Sequence, residues 1–247
     1  MKMDIKGFIE SSLLEWEGKI ASVVFLPNCN LRCSYCHAAH LILHPERLES
    51  LDCARILDYM RRQGDWLDGV VITGGEPTLH GEELLDLIRE FRAVPLKVMI
   101  ETNGTRPEWT ERLIKERFLD AVAMDFKAPL TPDDYARVAG VEVNVGDIRR
   151  SIELIKQSGL PHEFRITLVP GLIGRDELER MVPDLADAQQ VALQNFKPDF
   201  CLSESLRHVT PYTREELEAL VRIVAPVVGR VVLRGRDHAV LAASRQK

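Results

Sequence analysis

Short apolar runs rich in β-branched residues alternate along the chain with longer stretches in which apolar side chains recur every three or four positions. The short runs predict strands at Ile20–Leu26, Val70–Thr73, Lys97–Glu101, Ala121–Asp125, Glu163–Leu168, Val191–Phe196 and Val227–Leu233. The longer stretches predict amphipathic helices, among them Cys53–Arg62, Glu82–Phe91, Asp147–Gln157 and Arg214–Val224. Strand–helix alternation of this kind requires parallel strands joined by right-handed crossovers, so an α/β barrel or an open parallel sheet is expected. No low-complexity linker, charge block or repeat interrupts the pattern, and one domain over residues 1–247 is the simplest organisation.

The strand ends carry more information than the strands. The first run leads into a cysteine-bearing loop, the second into "GGEPT" (Gly74–Thr78), the third into "ETNGT" (Glu101–Thr105) and the fourth into "DFKAP" (Asp125–Pro129). In a parallel barrel the C-terminal strand ends converge on the ligand-binding face. Taken singly, each segment reads as an ordinary turn or helix cap. Taken together, they would gather Glu76, Glu101, Asp125 and Lys127 around the cysteine loop.

Composition narrows the function. The 247 residues carry a net charge of −6, so no global positive field exists to hold nucleic acid or an anionic membrane. No stretch approaches the roughly 18 consecutive apolar residues of a membrane span, and the N-terminus lacks an apolar leader. A soluble, cytoplasmic protein is expected. Five cysteines, three of them within eight residues, do not form a secreted disulfide framework and point instead to a reducing compartment and a metal.

The clustered thiols are Cys29, Cys33 and Cys36 in "NCNLRCSYCHAAH". Spacings of three and two intervening residues let one loop offer three corners of a tetrahedron to zinc or to an iron–sulfur cluster. With zinc, His37, His40 or His44 would complete a structural site. With a [4Fe–4S] cluster, one iron would lack a protein ligand and could bind a small molecule. Spacing alone leaves both open, although a zinc staple would have no need of the glycine-rich and acidic strand ends.

"CNLRCSYC" resembles the cluster motif of the radical S-adenosylmethionine (SAM) superfamily, and "GGEPT" resembles its second motif. The order "PNCNLRCSYCH", "VVITGGEPTL", "ETNGT", "AMDFKAP", "EFRITLVPGL" and "LQNFKP" is similar to that of glycyl-radical-enzyme activases, in particular those of anaerobic ribonucleotide reductase. The resemblance covers roughly residues 5 to 200. It implies a partial (β/α)6-type TIM-like barrel with outer helices, its core at about 18–200 followed by a C-terminal extension over 201–247. It also implies two cofactors, a [4Fe–4S] cluster on Cys29, Cys33 and Cys36 and SAM chelated to the fourth iron. An electron from the reduced cluster would cleave the sulfonium and release a 5′-deoxyadenosyl radical, the protein fixing geometry and excluding water.

The same resemblance assigns roles along the chain. Gly74 and Gly75 would let backbone approach the methionine amino group of SAM, Glu76 would add negative charge beside it, and Pro77 and Thr78 would stiffen and complete the turn. Tyr35 would stand near the adenine. Glu101, Thr102 and Asn103 would help bind SAM; relatives often carry Asp in place of Glu101, which weighs against a cation site. Asp125 and Lys127, two apart on an extended segment, would face the same way near the SAM carboxylate. Arg165 would bind a carboxylate or ribose oxygens, and pairing with a structural carboxylate is an equal alternative for it. Gln194 and Lys197 at the next strand end are weaker candidates. Cys53 and Cys201 fall outside the metal spacing, His37 is expected to make a supporting hydrogen bond, and Asn28, where relatives usually have Gly, is suited to positive φ.

As partners, the resemblance implies a glycyl radical enzyme, with anaerobic ribonucleotide reductase first, and an electron donor such as flavodoxin or ferredoxin. A small-molecule radical SAM enzyme similar to 7-carboxy-7-deazaguanine synthases, and a non-catalytic zinc-stapled interaction protein, are the competing readings. The tail after "LQNFKP" has room for a helix, a strand and an ending, and adds no second cysteine cluster.

Overall fold

The computed structural model describes residues 3–199, 201–235 and 241–244. Contacts group the chain into two compact units. The first comprises Met1–Asn30, Ala38–Thr102 and Glu108–Val122; the second comprises Leu31–His37, Asn103–Pro107 and Ala123–Lys247.

In the first unit, β1 (Gly7–Ser12) lies antiparallel to β2 (Ala21–Leu26), and β2, β3 (Gly69–Gly74) and β4 (Lys97–Thr102) run parallel. Their connections carry α1 (Ala39–Leu43), α2 (Cys53–Arg62), α3 (Glu82–Arg92) and, after β4, α4 (Pro107–Lys115). Nearly every residue of β2 and of the apolar stretch of β3 is buried, as expected of parallel strands covered on both faces. The helices start where the sequence supplies a cap: the Asp52 carboxylate accepts from the Ala54 N–H at the head of α2. The chain passes from the first unit to the second within β5 (Ala121–Asp125).

The second unit repeats the pattern. Its helices α5 (Pro132–Ala139), α6 (Val145–Gln157), α7 (Arg175–Leu185) and α8 (Arg214–Val224) separate β6 (His162–Leu168), β7 (Gln190–Asn195) and β8 (Arg230–Arg234). These three strands pair in parallel, and β9 (Leu241–Ser244) closes antiparallel on β8. Two helices show why their boundaries fall where they do. α5 opens with Thr131 capping Asp134 and Pro132 in the first position, and stops at Gly140 with φ 72°. α8 opens on a capping box formed by Thr213 and Glu216.

The expected α/β class of parallel strands followed by helices is found, most boundaries shifting by one or two residues. The last expected strand shifts furthest: it starts at Arg230 because Val227 is held in a turn on Val224 and Gly229 on Ala188. β1 has no counterpart in the sequence reading, since its half-exposed edge shows no clean apolar run. β9 adds a strand to a tail expected to hold one. Among the described residues no helix is long and apolar enough to cross a membrane.

Ile72 is fully buried in β3, the strand that delivers the GGEPT segment. Ile72→Ala is expected to cost about 2–5 kcal/mol, read as a lower urea midpoint with an unchanged slope.

Candidate functional site

In the first unit, β2 and β3 end side by side, with Leu26 opposite Gly74. Beyond them the two chains stay tied: the Gly75 N–H donates to the Leu26 carbonyl at 2.8 Å and the Glu76 N–H to the Asn28 carbonyl at 2.7 Å. This contact explains the glycine pair. Gly74 has φ 121°, and a Cβ on Gly75 would lie 1.7 Å from the Asn28 oxygen. The side-chain space at Gly75 is thus filled by the backbone just before Cys29. Asn28 has φ 67°, the positive value expected of it. His80 adds a third tie, its Nε2 standing 2.9 Å from the Pro27 carbonyl.

Glu76 is fully buried. Its Oε1 accepts from the Thr78 N–H at 3.1 Å, the Thr78 hydroxyl at 2.5 Å and the Thr102 hydroxyl at 2.8 Å. A buried carboxylate supplied with donors in this way braces the end of β3 against the end of β4. Glu101 takes a hydrogen bond from the Thr73 hydroxyl at 2.7 Å, and Pro77 is buried in the short 3₁₀ turn Pro77–His80. Cys29 is half-buried.

In the second unit, the loop Leu31–His37 is held by its main chain. The Arg32 N–H donates to the Ala139 carbonyl at 2.7 Å, the Ser203 N–H to the Ser34 carbonyl at 2.8 Å, and the Leu202 N–H to the Cys36 carbonyl at 3.1 Å. A turn closes from the Cys36 N–H to the Cys33 carbonyl at 3.0 Å. His37 Nε2 lies 2.8 Å from the Lys197 carbonyl, the supporting contact expected of it, and the Cys201 thiol donates to the same carbonyl at 3.2 Å. Lys197 and Cys201 therefore serve the loop through the segment they occupy. Cys53 lies in the first unit, its thiol bonded to Glu90 at 3.2 Å.

Lys127 is the electrostatic centre of this second group. Its ammonium is 3.1 Å from the Asp125 carboxylate and 5.9 Å from the Tyr35 ring centroid. Burial works against the ammonium, yet Asp125, Tyr35 and Cys33 hold its pKa well above the ordinary lysine value. Burial pushes the Cys33 thiol up, with Lys127 pulling the other way, and raises Tyr35 strongly. Asn103 forms a local turn, its Oδ1 accepting from the Thr105 N–H at 3.0 Å and hydroxyl at 2.6 Å.

Arg165 is buried on β6, and its Nε donates to Glu163 at 2.7 Å. Arg234 grips the same carboxylate with two bonds of 2.8 and 2.9 Å, and Gln190 adds a third partner at 2.5 Å. Burial disfavours the Glu163 charge, but the two guanidiniums lower its pKa. Of the two roles open to Arg165, the structural ion pair is present.

All five cysteines, each among the described residues, are thiols outside any disulfide. Among the described residues no three His, Cys, Asp or Glu side chains already stand in the arrangement of a bound metal, so ligation here rests on residue type and spacing. The donor set still fits an iron–sulfur group, which binds thiolates and carries net negative charge. The half-buried Lys127 ammonium acts on Cys33, and one neighbouring hydroxyl, that of Tyr135, is buried with no hydrogen-bond acceptor among the described residues. The sequence reading passed over Tyr135. Its only signal was an aromatic residue in the helix directly after "DFKAP".

The loop's dependence on α5 is testable. A Cβ at position 140 would lie 2.3 Å from the Arg32 carbonyl and force a left-handed backbone on alanine. Gly140→Ala should destabilise the protein by about 1 kcal/mol or more and speed hydrogen exchange at the Arg32 amide; unchanged exchange there would show that α5 does not hold the loop.

The model of the "Radical SAM superfamily" matches residues 23–182. A relative from Methanocaldococcus jannaschii, described as a "Putative glycyl-radical enzyme activating enzyme", is 30% identical over 95% of this chain and 97% of its own length. A 7-carboxy-7-deazaguanine synthase from Hyperthermus butylicus is 28% identical over 73% of this chain and 83% of its own. Among solved structures, TYW1 with a lysine-pyruvate adduct superimposes with a TM-score of 0.64 at 16% identity, covering 91% of this chain and 80% of that one. That likeness bears on the fold. The extent of the family match and the end-to-end similarity of the first relative settle membership: this chain belongs to the radical SAM superfamily.

Proposed function

We propose that this radical SAM enzyme is a glycyl-radical-enzyme activating enzyme, its substrate a glycine Cα–H on a partner protein such as anaerobic ribonucleotide reductase. The observation that carries this reading is the end-to-end match to a relative described as an activating enzyme. In this reading Cys29, Cys33 and Cys36 hold a [4Fe–4S] cluster, and SAM lies against Gly74–Thr78, Glu101–Asn103, Tyr35, Asp125 and Lys127. When loaded, the cluster supplies one electron, received from a flavodoxin- or ferredoxin-type donor, that splits SAM into methionine and a 5′-deoxyadenosyl radical; hydrogen taken from glycine completes 5′-deoxyadenosine and leaves the glycyl radical.

The chain's own residues prepare that chemistry. Lys127 provides a half-buried cation for a carboxylate, kept charged by Asp125. Cys33 and Tyr35 are each less than one-tenth exposed, so water is excluded around them. The Gly74–Gly75 turn fixes the backbone before Cys29 and so the entry to the cysteine loop. Glu163 holds Arg165 through its Nε, fixing the guanidinium that would meet a carboxylate or ribose oxygens in this reading. The net charge of −6 fits a protein partner better than nucleic acid or an anionic membrane.

A second reading keeps the cofactors and replaces the partner with a small molecule. The similarity to 7-carboxy-7-deazaguanine synthase favours it, although that match covers less of both chains than the activating-enzyme match.

Protein reconstituted without oxygen is expected to bind about four irons per chain and, with SAM and a reductant, to release 5′-deoxyadenosine. Adding the partner should produce a glycine-centred doublet in electron paramagnetic resonance. Zinc in place of iron would overturn the enzyme reading, and turnover of a small molecule without any doublet would favour the second reading. Cys33→Ala should lose cluster and SAM cleavage together.

A further inference from the structure

Tyr135 lies on α5 and its side chain is fully buried, yet among the described residues its hydroxyl has no hydrogen-bond acceptor. Buried hydroxyls normally find one, and an orphan raises the question of what it faces when the protein works. Its surroundings narrow the answer. Tyr135 and Ala139 are four residues apart on one helix and so share a face. The Ala139 carbonyl accepts from the Arg32 N–H at 2.7 Å, and Gly140 packs on the Arg32 carbonyl. The C-terminal end of α5, one turn on from Tyr135, is therefore tied to the main chain of Arg32, the residue before Cys33. Burial acts most strongly on the phenol; Lys127 acts on it through its charge and its main-chain N–H, and Cys33 and Asp125 are the other chargeable groups that do so; Lys127 is engaged with Asp125 at 3.1 Å.

Within this group, Cys33 is the member whose sulfur gains negative charge when iron binds it. A metal-bound sulfur accepts hydrogen bonds, and such bonds adjust a cluster's potential. A phenol is a competent donor, and among the described residues this one has no acceptor for its proton. We propose that Tyr135 is a cofactor-binding residue, its hydroxyl donating a hydrogen bond to the iron–sulfur group held by the cysteine loop. The inference rests on the cluster assignment made above for Cys29, Cys33 and Cys36, and is independent of which partner or substrate the radical attacks. It explains why a tyrosine rather than a phenylalanine occupies a wholly buried position on the helix that supports the loop.

The test compares wild type with Tyr135→Phe, each metal-free and each reconstituted with iron and sulfide in the absence of SAM. Phenylalanine keeps the ring and removes only the orphaned group, so the metal-free variant should melt at or above the wild-type temperature. Once loaded to the same iron content, the variant should gain less in melting temperature than wild type. Its cluster should also titrate at a more negative midpoint potential in electron paramagnetic resonance, because the reduced state loses a donor. Equal gains and equal potentials in the two proteins would overturn the inference and leave Tyr135 a space-filling residue. Failure of wild type itself to bind an iron–sulfur cluster would overturn both this inference and the cluster assignment; a loaded wild type with an indistinguishable variant would overturn this inference alone.

Discussion

The hydrogen bonds that fix the main chain of the cysteine loop are the constraint on which the rest depends. A loop that offers three thiols can serve a cluster only if its backbone is fixed by something other than the missing fourth ligand. In the first unit, the GGEPT turn pins Pro27 and Asn28 on the approach to Cys29. In the second, α5 takes the Arg32 amide, while the chain after β7 donates to the carbonyls of Ser34 and Cys36. These partners come from segments distant in sequence, so each part of the loop takes its shape from the unit that holds it rather than from its own residues. Glycine is required at positions 75 and 140 for the same reason: in both places another segment's carbonyl occupies the volume of a Cβ.

Electrostatics follow from that placement. Lys127 is half-buried and stays charged because Asp125 stands against it and Tyr35 and Cys33 lie close. A half-buried ammonium beside a thiol-bearing loop favours negative charge there, whether it comes from a sulfur or from the carboxylate of a ligand. The neighbouring ion pair of Glu163 with Arg165 and Arg234 is a separate balance, in which two guanidiniums share one buried carboxylate. Removing Glu163 would leave buried positive charge uncompensated.

Much of this was legible in the sequence, and the reasons are specific. The β-branched runs at Val70–Thr73 and Ala121–Asp125 could only be covered strands, and the apolar stripe of Cys53–Arg62 set its helix to the residue. The positive φ of Asn28 and the contact of His37 were readable from residue type and position. β1 escaped because an edge strand buries too little to show a pattern. The packing of Gly75 on the Asn28 carbonyl escaped for another reason: a segment distant in sequence supplies the neighbour. Tyr135 needed the third dimension altogether, since its interest lies in having no acceptor among the described residues.

The account turns on the claim that three cysteines leave one iron open for SAM. Electron–nuclear double resonance on the reduced, SAM-bound protein, with nitrogen-15 in the amino group and oxygen-17 in the carboxylate of SAM, addresses it directly. Hyperfine couplings from both labels to the cluster are predicted. A reduced cluster that binds SAM yet shows neither coupling would mean that the fourth position is filled by the protein, and would contradict the account.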